Sequence, residues 1–204
     1  MIGIIDYGLG NLTSVEGAVK RLGHDSVITP DISVLEGMQK LILPGVGAFG
    51  DGMKNLVTRK LVEPLTDLVM NRGIPILGIC LGFQLIAKSS DEFGEHEGLG
   101  WVDAVVKRLE PGDTDLRIPH VGWNELNQCG ASPLFEDVPD AALFYYVHSY
   151  RMVSHDKSLV VGECDYGGAF PAAVRKDNIH AVQFHPEKSQ LHGLKLLENF
   201  LDRA

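Results

Sequence analysis

The stretch Pro75 to Gln84 is a short apolar run that reaches Gly78-x-Cys80-x-Gly82, and an amphipathic segment with Leu85, Ile86 and Ala87 follows. Such a run, closed by turn glycines and continued by a helical pattern, predicts a buried strand, a tight turn and a helix. With a nucleophilic side chain at the centre of the turn, this is the arrangement of a nucleophile elbow, cysteine standing in serine's place. Side chains two positions either side of the nucleophile would collide in so sharp a turn. Gly78 and Gly82 are read as removing that collision and as tolerating the backbone angles. The thiol then sits at a helix start, where unpaired N–H groups favour the thiolate. A plainer alternative stands beside this one: a structural cysteine between two turn glycines, since cysteine is often fully buried.

A chain of 204 residues with 45% hydrophobic content has the apolar side chains for one domain with a full core, taken here as residues 1–204. Its net charge of −9, without a run of clustered Lys or Arg, argues against a nucleic-acid partner. No signal-like segment precedes the first predicted strand and no apolar run approaches the length of a bilayer span, so no membrane association is expected. Cys80, Cys129 and Cys164 form an odd set with no Cys-x-x-Cys. That suggests neither a disulfide framework nor a zinc knuckle, and a cytoplasmic location is expected.

The chain opens with a predicted strand over 1–6, then Tyr7-Gly8-Leu9-Gly10-Asn11 and a helix to about Leu22, stopped by Gly23. A dinucleotide fingerprint would need glycine at position 13, where Thr13 stands, so a tight turn with Asn11 as helix cap is preferred. Strands are expected near 25–28 and 40–43, and the second runs into Pro44-Gly45-Val46-Gly47-Ala48-Phe49-Gly50. Asp51-Gly52 follows, rather than the Lys and Ser/Thr of a phosphate cradle. The loop suits oxyanion donation better, with a ligand-free connector as the other reading. A helix is expected over about 51–71, with an interruption near Thr58 and Pro64. The alternation of strand and helix predicts a parallel sheet with right-handed crossovers.

Residues 88–100 read as a solvated acidic loop carrying Asp91, Glu92, Glu95 and Glu97. Short strands are then expected near 102–108, 143–147, 151–154, 160–164, 169–175 and 180–184. A final helix over 189–203 would be capped by Ser189.

A thiol nucleophile needs a base, and the base needs an orienting group. Gln183-Phe184-His185-Pro186-Glu187 offers both from one loop stiffened by proline. A carboxylate beside the ring would set its tautomer and stabilise an imidazolium paired with a thiolate. His-x-Glu could also be two metal ligands, but no third ligand clusters with it, and no metal is expected. His148 sits at a strand end, and the remaining histidines lack a neighbouring carboxylate in such a setting.

Taken together, Gly-x-Cys-x-Gly-x-Gln at 78–84, Pro-Gly-x-Gly at 44–47 and Phe-His-Pro-Glu at 184–187 resemble the class I (triad) glutamine amidotransferases. The resemblance narrows to the glutaminase subunits of imidazole glycerol phosphate synthases. It does so through Asp6-Tyr7-Gly8-x-Gly10-Asn11, Pro44-Gly45-Val46-Gly47-x-Phe49-Gly50, Pro119-His120-x-Gly122-Trp123-Asn124, Val147-His148-Ser149-Tyr150-Arg151 and His185-Pro186-Glu187-Lys188-Ser189. Phe83, where methionine is common, and Gln190, where serine is usual, are mild departures. The resemblance implies a three-layer, flavodoxin-like α/β fold. A central, mostly parallel sheet would carry helices on both faces, with a smaller antiparallel strand region.

It also implies Cys80 as nucleophile, His185 as general base and acid, and Glu187 as its orienter. The oxyanion donors would be the Val46 and Leu81 N–H groups. Gly47, Gln84, Glu92, Ser149 and Tyr150 would hold L-glutamine, with no cofactor. Asn11, Trp123, Tyr145 and Lys188 would face a (β/α)₈-barrel cyclase subunit, forming a heterodimer that receives the ammonia. The other readings kept open are a stand-alone Cys-His-Glu hydrolase of γ-glutamyl or peptide bonds, a non-catalytic module, and a sibling amidotransferase serving chorismate or pyridoxal phosphate synthesis.

Overall fold

The computed structural model describes residues 1–112 and 115–204. Its first half alternates β1 (Ile2–Ile5), α1 (Leu12–Arg21), β2 (Ser26–Thr29), α2 (Ile32–Leu35), β3 (Lys40–Gly45), α3 (Phe49–Thr58), α4 (Val62–Thr66), β4 (Ile76–Cys80) and α5 (Leu81–Leu85). Among the described residues, nine strands come next with no α-helix between them, and the first eight are β5 (Ser89–Ser90), β6 (His96–Glu97), β7 (Ala104–Arg108), β8 (His120–Gln128), β9 (Ala142–His148), β10 (Tyr150–Ser154), β11 (Val160–Asp165) and β12 (Ala169–Lys176). The ninth, β13 (Ile179–Val182), leads through the 183–189 segment into α6 (Gln190–Arg203).

A nine-stranded sheet runs in the order β2-β1-β3-β4-β13-β12-β11-β8-β9. The pairs from β2 to β13 are parallel and the remainder antiparallel. A smaller sheet, β10-β7-β5-β6, holds the other strands. The strand alternation of period two splits the core between two faces. Ile2, Ile4, Ile42, Leu77 and Ile79 pack against Val15, Val19, Leu196, Leu197 and Phe200 of α1 and α6. Ile5, Leu41, Leu43 and Ile76 pack on the opposite side against Phe49, Leu56, Leu65 and Leu85. Helices therefore cover both faces, as the α/β reading requires.

Several local expectations change. The helix expected over 51–71 starts at Phe49 and breaks after Thr58, where Lys60 takes a φ of 56°. Pro64 does not break it: it falls in the first turn of α4, where a missing N–H costs no helical bond. A π-helical turn over Asp67–Asn71 completes that segment. The acidic loop contains β5 and β6, and Ser90 and Glu92 are buried in it. Strand β8, a motif without an assigned strand in the sequence, is the longest in the chain. Asn11 and Ser189 stand at helix starts, but neither side chain accepts a capping bond. Instead, the Ser189 hydroxyl donates to the His185 carbonyl at 2.6 Å and accepts from the Tyr145 N–H at 3.0 Å. Among the described residues, no helix is long and apolar enough to cross a membrane.

Candidate active site

Cys80 ends β4 and precedes α5 with φ 55° and ψ −104°. A non-glycine residue in that region is strained, and strain of this kind concentrates at functional sites. The unusual angles thus fall on the cysteine itself, while neither Gly78 nor Gly82 has a positive φ. The glycines are needed for space. A Cβ at Gly78 would lie 2.9 Å from the Gly82 carbonyl oxygen, and one at Gly82 would overlap the Leu43 carbonyl oxygen of β3. Gly82→Ala is therefore expected to lower stability by about 3 kcal/mol or more, through overpacking against backbone that cannot rotate away. An unchanged denaturation midpoint for that variant would contradict this packing.

Sheet order brings the distant motifs together. Strand β4 lies between β3 and β13, with Gly45 paired to Cys80 and Val182 to Ile79. The carboxyl ends of three neighbouring strands therefore deliver the glycine loop, the cysteine and the His-Pro-Glu turn to one place, as open α/β sheets do for their ligand sites. His185 Nδ1 lies 2.8 Å from Glu187 Oε1, and the two side chains are only 2% and 1% exposed. Because an ionised carboxylate only accepts, Nδ1 carries the proton and Nε2 is left to face the sulfur. Burial disfavours the imidazolium, but the Cys80 sulfur and the Glu187 carboxylate outweigh it, and His185 is raised to about 9. Nε2 itself is buried without a formed hydrogen bond. The sulfur influences its charge while standing outside bonding geometry.

Cys80 opens onto a pocket of about 350 Å³. Val46, Gly47, Leu81, Gln84, Glu92, Ser149 and Tyr150 all line it, so the cysteine shares one wall with all seven oxyanion and substrate candidates. His185 and Glu187 are not among the lining residues; they are buried just beyond the end of β13, the strand paired with β4. Glu92 Oε2 accepts the Phe49 N–H at 2.7 Å, at the start of α3. Its carboxyl is raised mainly by desolvation, and the Phe49 bond and His96 pull the other way. Gln84 Nε2 donates to the Tyr150 carbonyl at 3.1 Å and to Gln183 Oε1 at 2.9 Å. Val46 is 39% exposed at the pocket mouth, and Gly47 beside it has φ 108°.

Pro119, Val147 and His148 complete the lining. The sequence carried all three inside its motifs without assigning them roles, because a motif does not say which side chain turns inward. Tyr7 is a further omission. It is fully buried, its hydroxyl has no hydrogen-bond partner, and it packs against Gly45, where any Cβ would displace it. Burial first, and the nearby Cys80 second, raise that hydroxyl well above the usual tyrosine range.

The residues expected at an interface form a surface of their own. Trp123 and Tyr145 are cross-strand partners with ring centroids 6.1 Å apart, and Lys188 Nζ lies 5.9 Å over the Tyr145 ring. Asn11 opens α1, which packs beside the 186–188 turn. Val121, Trp123, Leu143 and Leu191 are exposed by 55%, 44%, 47% and 77%, on β8, β9 and the start of α6. Among the described residues, no group of three or more His, Cys, Asp and Glu is placed to hold a metal ion.

Residues 3–204 match the family model described as glutamine amidotransferase class-I. The chain is 48% identical over 200 residues to the imidazole glycerol phosphate synthase subunit HisH of Desulfitobacterium hafniense (strain Y51), covering 98% of this chain and 93% of that one. It is 46% identical over 203 residues to the HisH subunit of Geobacter sulfurreducens, covering 98% and 97%. Among solved structures, a glutamine amidotransferase superposes with a TM-score of 0.75 at 21% identity, over 98% of this chain and 96% of the other. PurLQS from Thermotoga maritima superposes with a TM-score of 0.72 at 21% identity, over the same shares. Those two likenesses speak for the fold, and the sequence relatives speak for the branch. The chain belongs to the class I glutamine amidotransferase family, and within it to the HisH subunits of imidazole glycerol phosphate synthase.

Proposed function

We propose that the chain hydrolyses L-glutamine through Cys80, His185 and Glu187 and passes the ammonia to a (β/α)₈-barrel cyclase subunit in a heterodimer. The observation that supports this reading is an elbow cysteine lining the pocket, with a buried, carboxylate-paired imidazole just beyond the end of the neighbouring strand. With His185 raised to about 9, the imidazolium is favoured beside Cys80, whose sulfur reacts as the thiolate. The thiolate attacks the side-chain amide carbon. The oxyanion that forms is held by the N–H groups of Leu81, first in α5, and of Val46. Collapse breaks the C–N bond, and His185 gives its proton to the leaving ammonia. The neutral ring then takes a proton from water, which attacks the γ-glutamyl thioester and releases glutamate. Glu92 holds the substrate ammonium, while Gly47, Gln84, Ser149 and Tyr150 orient the rest of the molecule.

Ammonia released to bulk water at neutral pH would be protonated and lost as a nucleophile. The apolar surface around Trp123, with Tyr145, Lys188 and Asn11, is where the cyclase docks. That partner combines ammonia with a phosphorylated ribulosyl-formimino carboxamide nucleotide, yielding imidazole glycerol phosphate and an aminoimidazole carboxamide ribotide. A cytoplasmic location suits three cysteines that are all free.

The test is glutamine hydrolysis by the chain alone, with the cyclase subunit, and with cyclase plus its nucleotide substrate. The Val46 peptide lies between two glycines, so it can turn its N–H towards or away from the oxyanion at small steric cost. One oxyanion donor is worth about 10²–10³-fold in rate, and a rise of that order is expected on adding the liganded cyclase. Full turnover by the chain alone would favour a stand-alone γ-glutamyl hydrolase instead.

A further inference from the structure

We propose that His120 and His148 form a one-directional hydrogen-bond relay that positions the Tyr150 carbonyl, and with it the substrate-facing wall of the pocket. This rests on the reading of that pocket as the glutamine site. His120 begins β8, His148 ends β9, and the two are directly opposite across the antiparallel pair. His120 Nδ1 lies 3.0 Å from His148 Nε2, and His148 Nδ1 lies 2.8 Å from the Tyr150 carbonyl oxygen. His120 Nε2 is 3.4 Å from the Asn124 amide nitrogen.

A carbonyl oxygen can only accept. His148 therefore carries its proton on Nδ1, which leaves Nε2 as an acceptor. His120 must then carry its own proton on Nδ1, and its Nε2 accepts from the Asn124 amide. The Asn124 oxygen in turn accepts the Glu125 N–H at 2.8 Å. One backbone acceptor thus decides the tautomers of two rings, while the Asn124 amide is oriented by its donation to the Asp165 carbonyl at 2.8 Å together with that Glu125 bond.

The surroundings hold this chain still and uncharged. His120 and His148 are 2% and 7% exposed. Burial lowers His120 to about 4; for His148 burial outweighs the Tyr150 carbonyl bond, which favours the charged ring, and with smaller contributions from His120 and His185 lowers it to about 3. His120 stacks on Tyr166 and Tyr146, with ring centroids 3.9 and 4.9 Å away. The Tyr166 hydroxyl is itself anchored on the Arg117 carbonyl at 2.8 Å.

The far end of the relay reaches the nucleophile. The Tyr150 carbonyl also accepts from Gln84 Nε2, so both of its lone pairs are used and its direction is set. Gln84 binds Gln183, whose Nε2 lies 4.0 Å from the Cys80 sulfur. Strand β8, which exposes Trp123, is thereby joined to the pocket wall through side chains that hold one arrangement. His120 and His148 act as positioning residues.

The test is ¹⁵N NMR of the full chain with labelled histidine, paired with glutamine kinetics of the chain in complex with its cyclase. Both histidines are expected as the Nδ1–H tautomer, the minority form of a free imidazole side chain. An Nε2–H tautomer at His148 would overturn the relay, and this measurement needs no variant. His120→Phe keeps a stacking ring and removes the donor. It is expected to release His148 into a tautomer mixture and to raise KM for glutamine about 3- to 10-fold, the worth of one neutral hydrogen bond, with kcat nearly unchanged. His120→Asn, whose amide nitrogen stands where Nδ1 stood, is expected to bring KM back towards the original value. An unchanged KM in His120→Phe would overturn the positioning role. If the wild-type complex turned over no glutamine, the reading of the pocket would fall, and the tautomers from the same sample would still decide the relay.

Discussion

Cys80→Ala is expected to reduce glutamine hydrolysis by about 10⁴-fold or more, because no other group in the pocket can form the thioester. The loss should come without loss of fold. Alanine keeps the same Cβ in this strained turn and removes only the sulfur, so the substitution introduces no new clash. Selective labelling gives the complementary result. A chloroketone analogue of glutamine should modify Cys80 and leave Cys129 and Cys164 untouched. Cys129 is raised by partial burial and by Glu163, and Cys164 is pushed to about 12 by burial, so neither is a thiolate at neutral pH. Labelling concentrated at Cys129 would remove the elbow from the mechanism.

The second large effect is expected at His185. His185→Asn removes the group that protonates ammonia and activates water, and a loss of about 10²–10⁴-fold in kcat follows. Glu187→Gln should cost less, about 10- to 100-fold. Its amide oxygen can still accept from Nδ1, and only the charge assistance of that bond is lost. The pH dependence carries a sign. The folded-state value of about 9 lies above that of an ordinary histidine, so the imidazolium form is full near neutrality and is lost as pH rises through about 9. The kcat/KM for glutamine should accordingly fall on the alkaline side of that value. A profile still climbing at higher pH would mean that the thiolate–imidazolium pair is not the reacting form. If His148→Asn proved the more damaging change and His185→Asn mild, the base would have to be reassigned.

The parts legible in the sequence are those governed by short-range rules. The apolar run into Gly78-x-Cys80-x-Gly82 could hardly be anything but a strand entering a sharp turn, and β1 to β4 with their helices followed from periodicity. His185 and Glu187 are two residues apart, so their pairing was readable before any fold was known. Local spacing also misled. The acidic run at 88–100 looked solvated, yet Glu92 turns inward to the start of α3, because the Phe49 N–H and the pocket provide what water would otherwise supply. The crowding that requires Gly82 comes from Leu43, far away in sequence, and not from its neighbour at 78.

What the sequence alone determined is the chemistry: a thiol in an elbow, an imidazole with its carboxylate, and a glycine loop able to present N–H groups. What only the tertiary structure decided is their meeting. The insertion of β13 beside β4, against chain order, places residue 185 next to residue 80. The pairing of β8 with β9 sets His120 against His148 and closes the wall around Tyr150. Strand order and register depend on which apolar faces bury one another across the whole sheet, a global packing condition that no local pattern encodes.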